Sequence, residues 1–369
     1  ASAGQGAAAA ALAGGVATAP TLSVDARLVN VPVVIRDKKG ALVQNLAKEN
    51  FLLQVDGTPQ MIRYFNIDTD LPLTLGLLVD TSLSQRNAIE EEQKASTGFL
   101  DDMLNGPKDR DKAFVIEFAH STELLQDITS SKPKLQAALQ QLDTPGTEGS
   151  GDTSSNGSGG RGGRGGGMGT TLYDALFLSS DELMKKQTGR KAVVILSDGV
   201  DRGSKESLVE SIEAAQRADT IVYAIYFKGT EQGGGQNQSG GRHGGGFPGG
   251  GRGGGWPGSG GGGYPGGGGG GRGGQGRPGG GAQVDGKKIL QRMADETGGR
   301  LFEVSKKETV ADIYKQIGEE LRAQYRLAFT PDKDTASAGY HKIDLSLTKS
   351  SPKDLYIQTR DGYYTGTGD

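Results

Sequence analysis

The chain has 369 residues, with 41 Lys and Arg against 44 Asp and Glu, 64 Gly, 13 Pro and no Cys. A net charge of -3 supplies no field to draw nucleic acid or an acidic membrane, and the lack of Cys excludes disulfides, thiol catalysis, zinc–thiolate sites and iron–sulfur clusters. Of the glycines, 43 lie in 146–169 and 233–281, so an ordinary globular protein, long enough for two folded domains, carries two glycine-rich insertions.

Residues 1–23 form an Ala/Gly-rich leader with neither a basic region nor a long apolar one. It reads either as the end left by signal cleavage or as a cytosolic tail of the same composition. No run approaches the ~18 apolar residues needed to span a bilayer. Val29, Val31, Val33 and Ile35 then fall on one face of a strand, and Asp37 to Gly40 is turn chemistry. Phe51, Leu53 and Val55 alternate again, Asp56-Gly57-Thr58-Pro59 turns, and Met61 to Phe65 reads extended. This stretch, 24–70, is a small antiparallel unit too thin to stand alone.

From Leu71 the period changes. Leu73 to Val79 is a nearly continuous apolar run ending in Asp80, as expected of a strand buried on both faces. Equivalent runs follow at Ala113–Phe118, Ala192–Leu196 and Ile221–Phe227. Helical patterns sit between them, marked by Ala95, Phe99, Met103 and Leu104, by Leu135, Ala138, Leu139 and Leu142, by Leu176, Leu183 and Met184, and by Leu208, Ile212 and Ala215. Strands alternating with helices predict an α/β domain with a mostly parallel sheet.

Beyond the second insertion, Ile289–Met293 opens a helix that stops at Gly298-Gly299, and Arg300 to Val304 is a short strand. Val310, Ile313, Ile317 and Leu321 mark one face of a further helix. Alternation then returns at Tyr325, Leu327 and Phe329, at His341, Ile343, Leu345 and Leu347, and at Leu355, Ile357 and Thr359. The expected architecture is therefore an α/β domain at 71–325, with glycine-rich insertions at 146–169 and 230–283. It is inserted into a small β-sandwich formed by 24–70 and 326–369.

Asp80-Thr81-Ser82-Leu83-Ser84 follows the first buried strand directly, and open α/β sheets bind ligands at the carboxyl ends of their strands. A carboxylate and two hydroxyls on one short turn are hard oxygen donors suited to Mg²⁺. Gly169-Thr170-Thr171 and Ser197-Asp198-Gly199 offer more oxygens on two other loops. Together these three pieces resemble the metal-ion-dependent adhesion site of the von Willebrand factor type A fold. The stretch Gly169 to Leu176, the Asn50-Phe51 and Asp56-Gly57 hairpin and the closing Arg360-Asp361-Gly362-Tyr363-Tyr364 further resemble a family of secreted bacterial VWFA-related proteins.

The resemblance implies a Rossmann-like sheet flanked by helices. It also implies Mg²⁺, or Mn²⁺ or Ca²⁺ in its place, held by Ser82, Ser84 and Thr170, with Asp80 and Asp198 acting mostly through bound waters. Thr170 is preferred to Thr171 because it follows the glycine directly. One open position on the ion would take an Asp or Glu of a protein partner. That is a binding device, and no poised catalytic base accompanies it.

Other signals are weaker. Gly281 to Lys288 falls one residue short of a phosphate loop, with Lys288 where Ser or Thr would hold the metal. His120, His243 and His341 are isolated in sequence, and no G-x-S-x-G elbow occurs. Arg242, Arg252, Arg272 and Arg277, scattered among Phe247, Trp256 and Tyr264, are too sparse to read as a nucleic-acid site. The expected function is a Mg²⁺-dependent adhesion module of an exported protein, at the cell surface, secreted or periplasmic. The alternative is a structural subunit that self-assembles into a homo-oligomer or extracellular filament through its glycine-rich segments and leader. Neither reading is enzymatic.

Overall fold

The structure, a computed structural model, describes residues 28–67, 71–105, 110–142, 169–228, 285–332 and 337–366. The leader and nearly all of both glycine-rich insertions lie outside these residues, and so do the self-assembly contacts expected of them. The chain divides into two units, one holding both ends up to residue 68 and from residue 323, the other running from 69 to 322.

In chain order the first unit contributes β1 (Val29–Arg36), β2 (Phe51–Val55), β3 (Thr58–Gln60) and β4 (Tyr64–Asn66). The second begins with β5 (Leu73–Asp80), α1 (Ile89–Met103), β6 (Lys112–Phe118), β7 (Thr122–Thr129), α2 (Lys132–Leu139) and α3 (Leu172–Leu178). It continues with β8 (Arg190–Ser197), α4 (Leu208–Arg217), β9 (Ile221–Tyr226), α5 (Gly286–Thr297), β10 (Leu301–Glu303) and α6 (Val310–Arg322). The chain then returns to the first unit with β11 (Tyr325–Phe329), β12 (Gly339–Leu347), β13 (Tyr356–Thr359) and β14 (Gly362–Thr365).

The terminal unit is the expected sandwich. One sheet runs β13-β1-β11-β4 and the other β14-β12-β2-β3, so each draws strands from both ends of the chain. The inward residues of the two sheets form one core: Val31, Val33 and Ile35 with Leu327 and Phe329 on one side, Phe51, Leu53, Val55 and Ile343 on the other. Tyr325 packs its ring 5.5 Å from that of Phe51 and 5.8 Å from that of Phe65. Its hydroxyl donates to Val43 O at 2.8 Å and accepts from Leu46 N at 3.0 Å, so its polar end is satisfied inside the core. The β2–β3 turn is tight because Asp56 and Gly57 both take positive φ, 49° and 78°.

Asp56 also accounts for His341. The buried imidazole meets Asp56 Oδ2 through Nδ1 at 2.7 Å, while Nε2 faces Ser337 O at 2.8 Å. Burial works against its charge, but the Ser337 carbonyl and the Asp56 carboxylate outweigh burial and hold His341 above its ordinary value of 6.5. The hydrogen bond from His341 in turn holds Asp56 below 3.8. The His contribution to stability is complete below about 6.5 and is lost as pH rises through the raised folded value. The Asp contribution is complete above about 3.8 and is lost as pH falls through the lowered one. His341→Asn is therefore expected to lower the unfolding temperature of the sandwich most between about pH 4 and 6.5, with a smaller effect at pH 8.5. Equal loss at pH 5.5 and 8.5 in thermal scans would show that the pair carries no charge.

The middle unit holds a six-stranded sheet of order β10-β9-β8-β5-β6-β7. Neighbours are parallel except β7, which lies antiparallel to β6 at the edge. All eight residues of β5 are buried, which is why its apolar run is unbroken. Helices α1, α2 and α6 pack on one face around Leu77, Phe99 and Ile317, and α3, α4 and α5 on the other around Ile116, Ile212 and Leu290. Strand β7 was not expected from the sequence. As an edge strand it is covered on neither face well enough to impose alternation, and its exposed Glu123 and Asp127 discourage a further strand from pairing there.

Candidate metal centre

The sheet order reverses at β5, whose neighbours β6 and β8 both follow it in the chain but lie on opposite sides of it in the sheet. That creates a crevice beyond the carboxyl ends of β5 and β8, and the five expected metal residues lie on the loops around it. Asp80 is the last residue of β5 and is fully buried. Ser82 and Ser84 follow on a tight turn in which Gln85 N donates to Ser82 O at 2.9 Å. Thr81 N donates to Phe118 O at 3.0 Å, tying this turn to the end of β6. Asp198 follows the last residue of β8, and Thr170 lies just ahead of α3. The loops are laced together: Arg202 N and Gly203 N both donate to Thr170 O, at 3.0 and 3.2 Å, and Thr171 N donates to Ala119 O at 3.0 Å.

Asp80 organises the crevice. Its Oδ1 accepts from Ser82 N at 2.9 Å and its Oδ2 from Ser197 Oγ at 2.6 Å. Ser197 Oγ in turn accepts from Gly199 N at 2.9 Å, and Asp198 Oδ1 accepts from Val200 N at 3.0 Å. Burial pushes the Asp80 carboxyl up to about 6, with help from the negative charge of Asp198 and against the hydrogen bonds from Ser197 and Ser82. Among the described residues no basic side chain contributes to that balance.

Among the described residues no group of three or more His, Cys, Asp or Glu stands ready to hold a metal, so a cation here needs hydroxyl donors beside the carboxylates. The donors present meet that need. Ser82 Oγ and Ser84 Oγ lie 3.0 Å apart. That is a hydrogen-bond distance, and it is also the edge of an octahedron with metal–oxygen distances of about 2.1 Å. Two acids and two adjacent hydroxyls, with no competing cation among the described residues, fit a small, hard dication.

The stretch from residue 75 to residue 200 matches the family model described as von Willebrand factor type A domain. The match covers about a third of the chain. Solved structures similar to it include the conserved hypothetical protein BatB from Bacteroides thetaiotaomicron, at 18% identity over 42% of this chain and 66% of that one, with a TM-score of 0.31. An aerotolerance-related membrane protein from Bacteroides fragilis is 13% identical over 68% of this chain and 98% of that one, with a TM-score of 0.39. Proximal thread matrix protein 1 from the mussel byssus, in a structure with a zinc-occupied MIDAS motif, is 18% identical over 44% and 37%, with a TM-score of 0.32. This chain spans under two thirds of the length of the first and third of these proteins. At such identities and TM-scores the three bear on neither its ligand nor its partner. No curated protein matches the chain.

Within the matched stretch, the two threonines of the Gly169 loop differ sharply in what their hydroxyls do. Thr171 Oγ1 lies 2.9 Å from Thr122 Oγ1 and donates to Ala119 O at 3.4 Å, so it is engaged in holding β6 and β7 to α3. Thr170 is buried, yet its hydroxyl forms no hydrogen bond among the described residues. His120 stands exposed beside Gly169, with Nδ1 3.6 Å from where a Cβ would sit.

The matched stretch also uses groups that sequence reasoning passed over. Ser197 was visible in the Ser-Asp-Gly stretch, but nothing in the stretch said that its hydroxyl would bridge to a residue 117 positions away. Glu92 is fully buried in the first turn of α1. It hides in a run of three glutamates, Glu90 to Glu92, that reads as a solvated face. The available signal was its spacing of seven from Phe99, which places it on the core side of the helix.

Proposed function

We propose that the chain is a divalent-dependent protein-binding module and not an enzyme. Mg²⁺ would be held by Ser82, Ser84 and Thr170, with Asp80 and Asp198 supplying the negative charge. The observation that carries this reading is Asp80: a fully buried carboxylate, beside a second acid on the neighbouring strand end, with no basic side chain among the described residues acting on it. A buried carboxylate with a second acid beside it favours a cation. The hydroxyl of Thr170, which forms no hydrogen bond among the described residues, supports the same reading. The 3.0 Å serine pair favours an ion of the size of Mg²⁺, since the longer bonds of Ca²⁺ would spread such an edge to about 3.4 Å.

When bound, the ion supplies a Lewis-acidic position for a carboxylate oxygen. The chain's own contribution is rigidity. The backbone bonds of the three loops fix the hydroxyls before any partner arrives, and the carboxylates at the strand ends leave the dication only formally neutralised. The partner is then a protein presenting Asp or Glu. Placement outside the cytoplasm, at the surface or in the periplasm, is supported by the family resemblance of the hairpin and of residues 360–364. Among the described residues no helix is long and apolar enough to cross a membrane.

Titration of Mn²⁺ into the full chain, with Thr170→Val and Thr171→Val side by side, tests the reading. Thr170→Val is expected to weaken cation binding by ~10-fold or more while leaving the unfolding temperature unchanged. Thr171→Val is expected to bind the cation normally and to lose about 1–2 kcal/mol of stability, because it orphans the partners of its hydroxyl. Wild-type affinity in Thr170→Val would sink the assignment. Sedimentation velocity in Mg²⁺ and in EDTA then asks whether the partner is a second copy: a monomer in both buffers points to a different protein, and large species lost in EDTA to self-assembly through the metal.

A further inference from the structure

We infer that Asp201 is a positioning residue of this metal centre: it clasps the loop that carries Asp198 onto the segment that carries Thr170, and so fixes the spacing of two cation-holding residues before any cation arrives; this rests on the metal reading proposed above. The clasp begins with a missing cap. α3, like any helix, leaves its first N–H groups without partners of its own. Thr171 sits where a hydroxyl usually caps, but its side chain makes no capping bond. Its hydroxyl is turned instead toward Thr122 Oγ1 and Ala119 O.

The cap comes from the loop after β8. Tyr173 N donates to Asp201 Oδ2 at 3.2 Å, and Asp174 N donates to Ser204 Oγ at 3.1 Å. Ser204 Oγ donates in turn to Asp201 Oδ2 at 2.5 Å, so one carboxylate oxygen gathers both helix and loop. The helix also grips the loop from its own side, because Lys205 N and Glu206 N both donate to Asp174 Oδ1 at 2.9 Å.

Thr170 lies inside this clasp. The two N–H groups on its carbonyl belong to Arg202 and Gly203, the residues that directly follow Asp201. A Cβ on Gly203 would stand 3.4 Å from Thr171 Cγ2 and 3.7 Å from Thr170 N, so the loop lies flat against the backbone of 169–171. Asp198 stands three positions ahead of Asp201 on the same loop. Capping alone does not account for the arrangement, since a local hydroxyl satisfies such N–H groups without joining two loops. What the borrowed cap adds is a fixed separation between Thr170 and Asp198. Asp201 is not a ligand in this scheme, because its Oδ2 is already taken by Tyr173 N and Ser204 Oγ. Groups that hold ligands in place in this way set metal affinity without touching the metal.

The test is Mn²⁺ titration of the full chain, reading free Mn²⁺ by its EPR signal, with the unfolding temperature measured in EDTA. The variants are Asp201→Ala, Asp201→Asn, Ser204→Ala, Thr171→Val and Asp80→Asn. Asp201→Ala opens the clasp and is expected to weaken Mn²⁺ binding ~10-fold or more, as for loss of a group supporting a metal ligand. Asp201→Asn keeps an oxygen for Tyr173 N and Ser204 Oγ, and is expected to bind close to wild type. Thr171→Val loses stability without touching the clasp, so it shows what destabilisation alone does to affinity. A merely structural Asp201 would behave like Thr171→Val, with a lower unfolding temperature and an unchanged dissociation constant. Wild-type affinity in a folded Asp201→Ala therefore overturns the inference and spares the metal reading. So does an Asn variant as weak as the Ala one, since charge and not the clasp would then be at work. If Asp201→Ala does not fold, Ser204→Ala reads the same clasp, and wild-type affinity there overturns the inference equally. If wild type and Asp80→Asn bind Mn²⁺ alike, the metal reading itself falls and takes this inference with it.

Discussion

Asp80→Asn is expected to abolish divalent binding and, in EDTA at pH 7, to make the protein more stable than wild type. The two effects share one cause. The Asp80 carboxyl is raised from 3.8 to about 6 by burial and by Asp198, so the folded state binds its proton more tightly than the unfolded one. The stability this confers is complete below about 3.8 and is lost as pH rises through about 6, so that at pH 7 the ionised group is a cost. A shift of about two units corresponds to roughly 3 kcal/mol. Asparagine keeps the acceptor for Ser82 N, and its amide can donate to Ser197 Oγ in place of the bond that Ser197 now donates. Some of the gain is lost in turning the Ser197 proton elsewhere, leaving an expected increase of about 1–3 kcal/mol at pH 7 and little at pH 4. Excess Mg²⁺ should reverse the order, because ligand at 100 times its dissociation constant adds about 2.7 kcal/mol to wild type alone. Thermal scans in EDTA and in Mg²⁺ measure both halves. A destabilised variant in EDTA would mean that Asp80 is already compensated without a cation.

Gly199→Ala carries the other large expected effect. Gly199 has φ of 75°, and a Cβ there would lie 2.1 Å from Gly286 O and 2.5 Å from Gly286 C. The approach is reciprocal, since a Cβ on Gly286 would lie 2.1 Å from Asp198 O. Both obstacles are backbone, which cannot swing aside as a long side chain can. The start of α5 and the Asp198 loop must therefore separate, at an expected cost of about 3 kcal/mol or more, or ~6–12 °C for a unit of this size. Because Asp198 moves with the loop, cation affinity should fall as well. Gly203→Ala is the control: a Cβ there meets Thr171 Cγ2 at an ordinary 3.4 Å, and the cost should stay below about 1 kcal/mol. Equal unfolding temperatures for the two variants would show that α5 yields easily and that this contact does not shape the site.

Much of this molecule could be read before its fold was known. The central strands were legible because burial on both faces leaves a continuous apolar run, as in Leu73 to Val79. The sandwich was legible because Val31, Val33 and Ile35, like Leu327 and Phe329, alternate with residues facing outward. Strand β7 was not, since an edge strand lacks the two-sided cover that writes a pattern. His341 looked isolated because its partner Asp56 is 285 positions away. Glu92 looked like one of three solvated glutamates.

The residues alone gave the periods of the elements, the strand-end placing of Asp80, Ser82, Ser84 and Asp198, the helix-opening place of Thr170, and the oxygen-rich chemistry of their loops. These follow from rules that act over a few residues: alternation in strands, repeats of three and four in helices, and donors within reach on one turn. It took the assembled sheet to show that the Thr171 hydroxyl is engaged, that Ser197 bridges to Asp80, and that Glu92 lies out of water. Burial and Coulomb interaction depend on distance in space between segments far apart in the chain, and that distance is set when the sheet assembles.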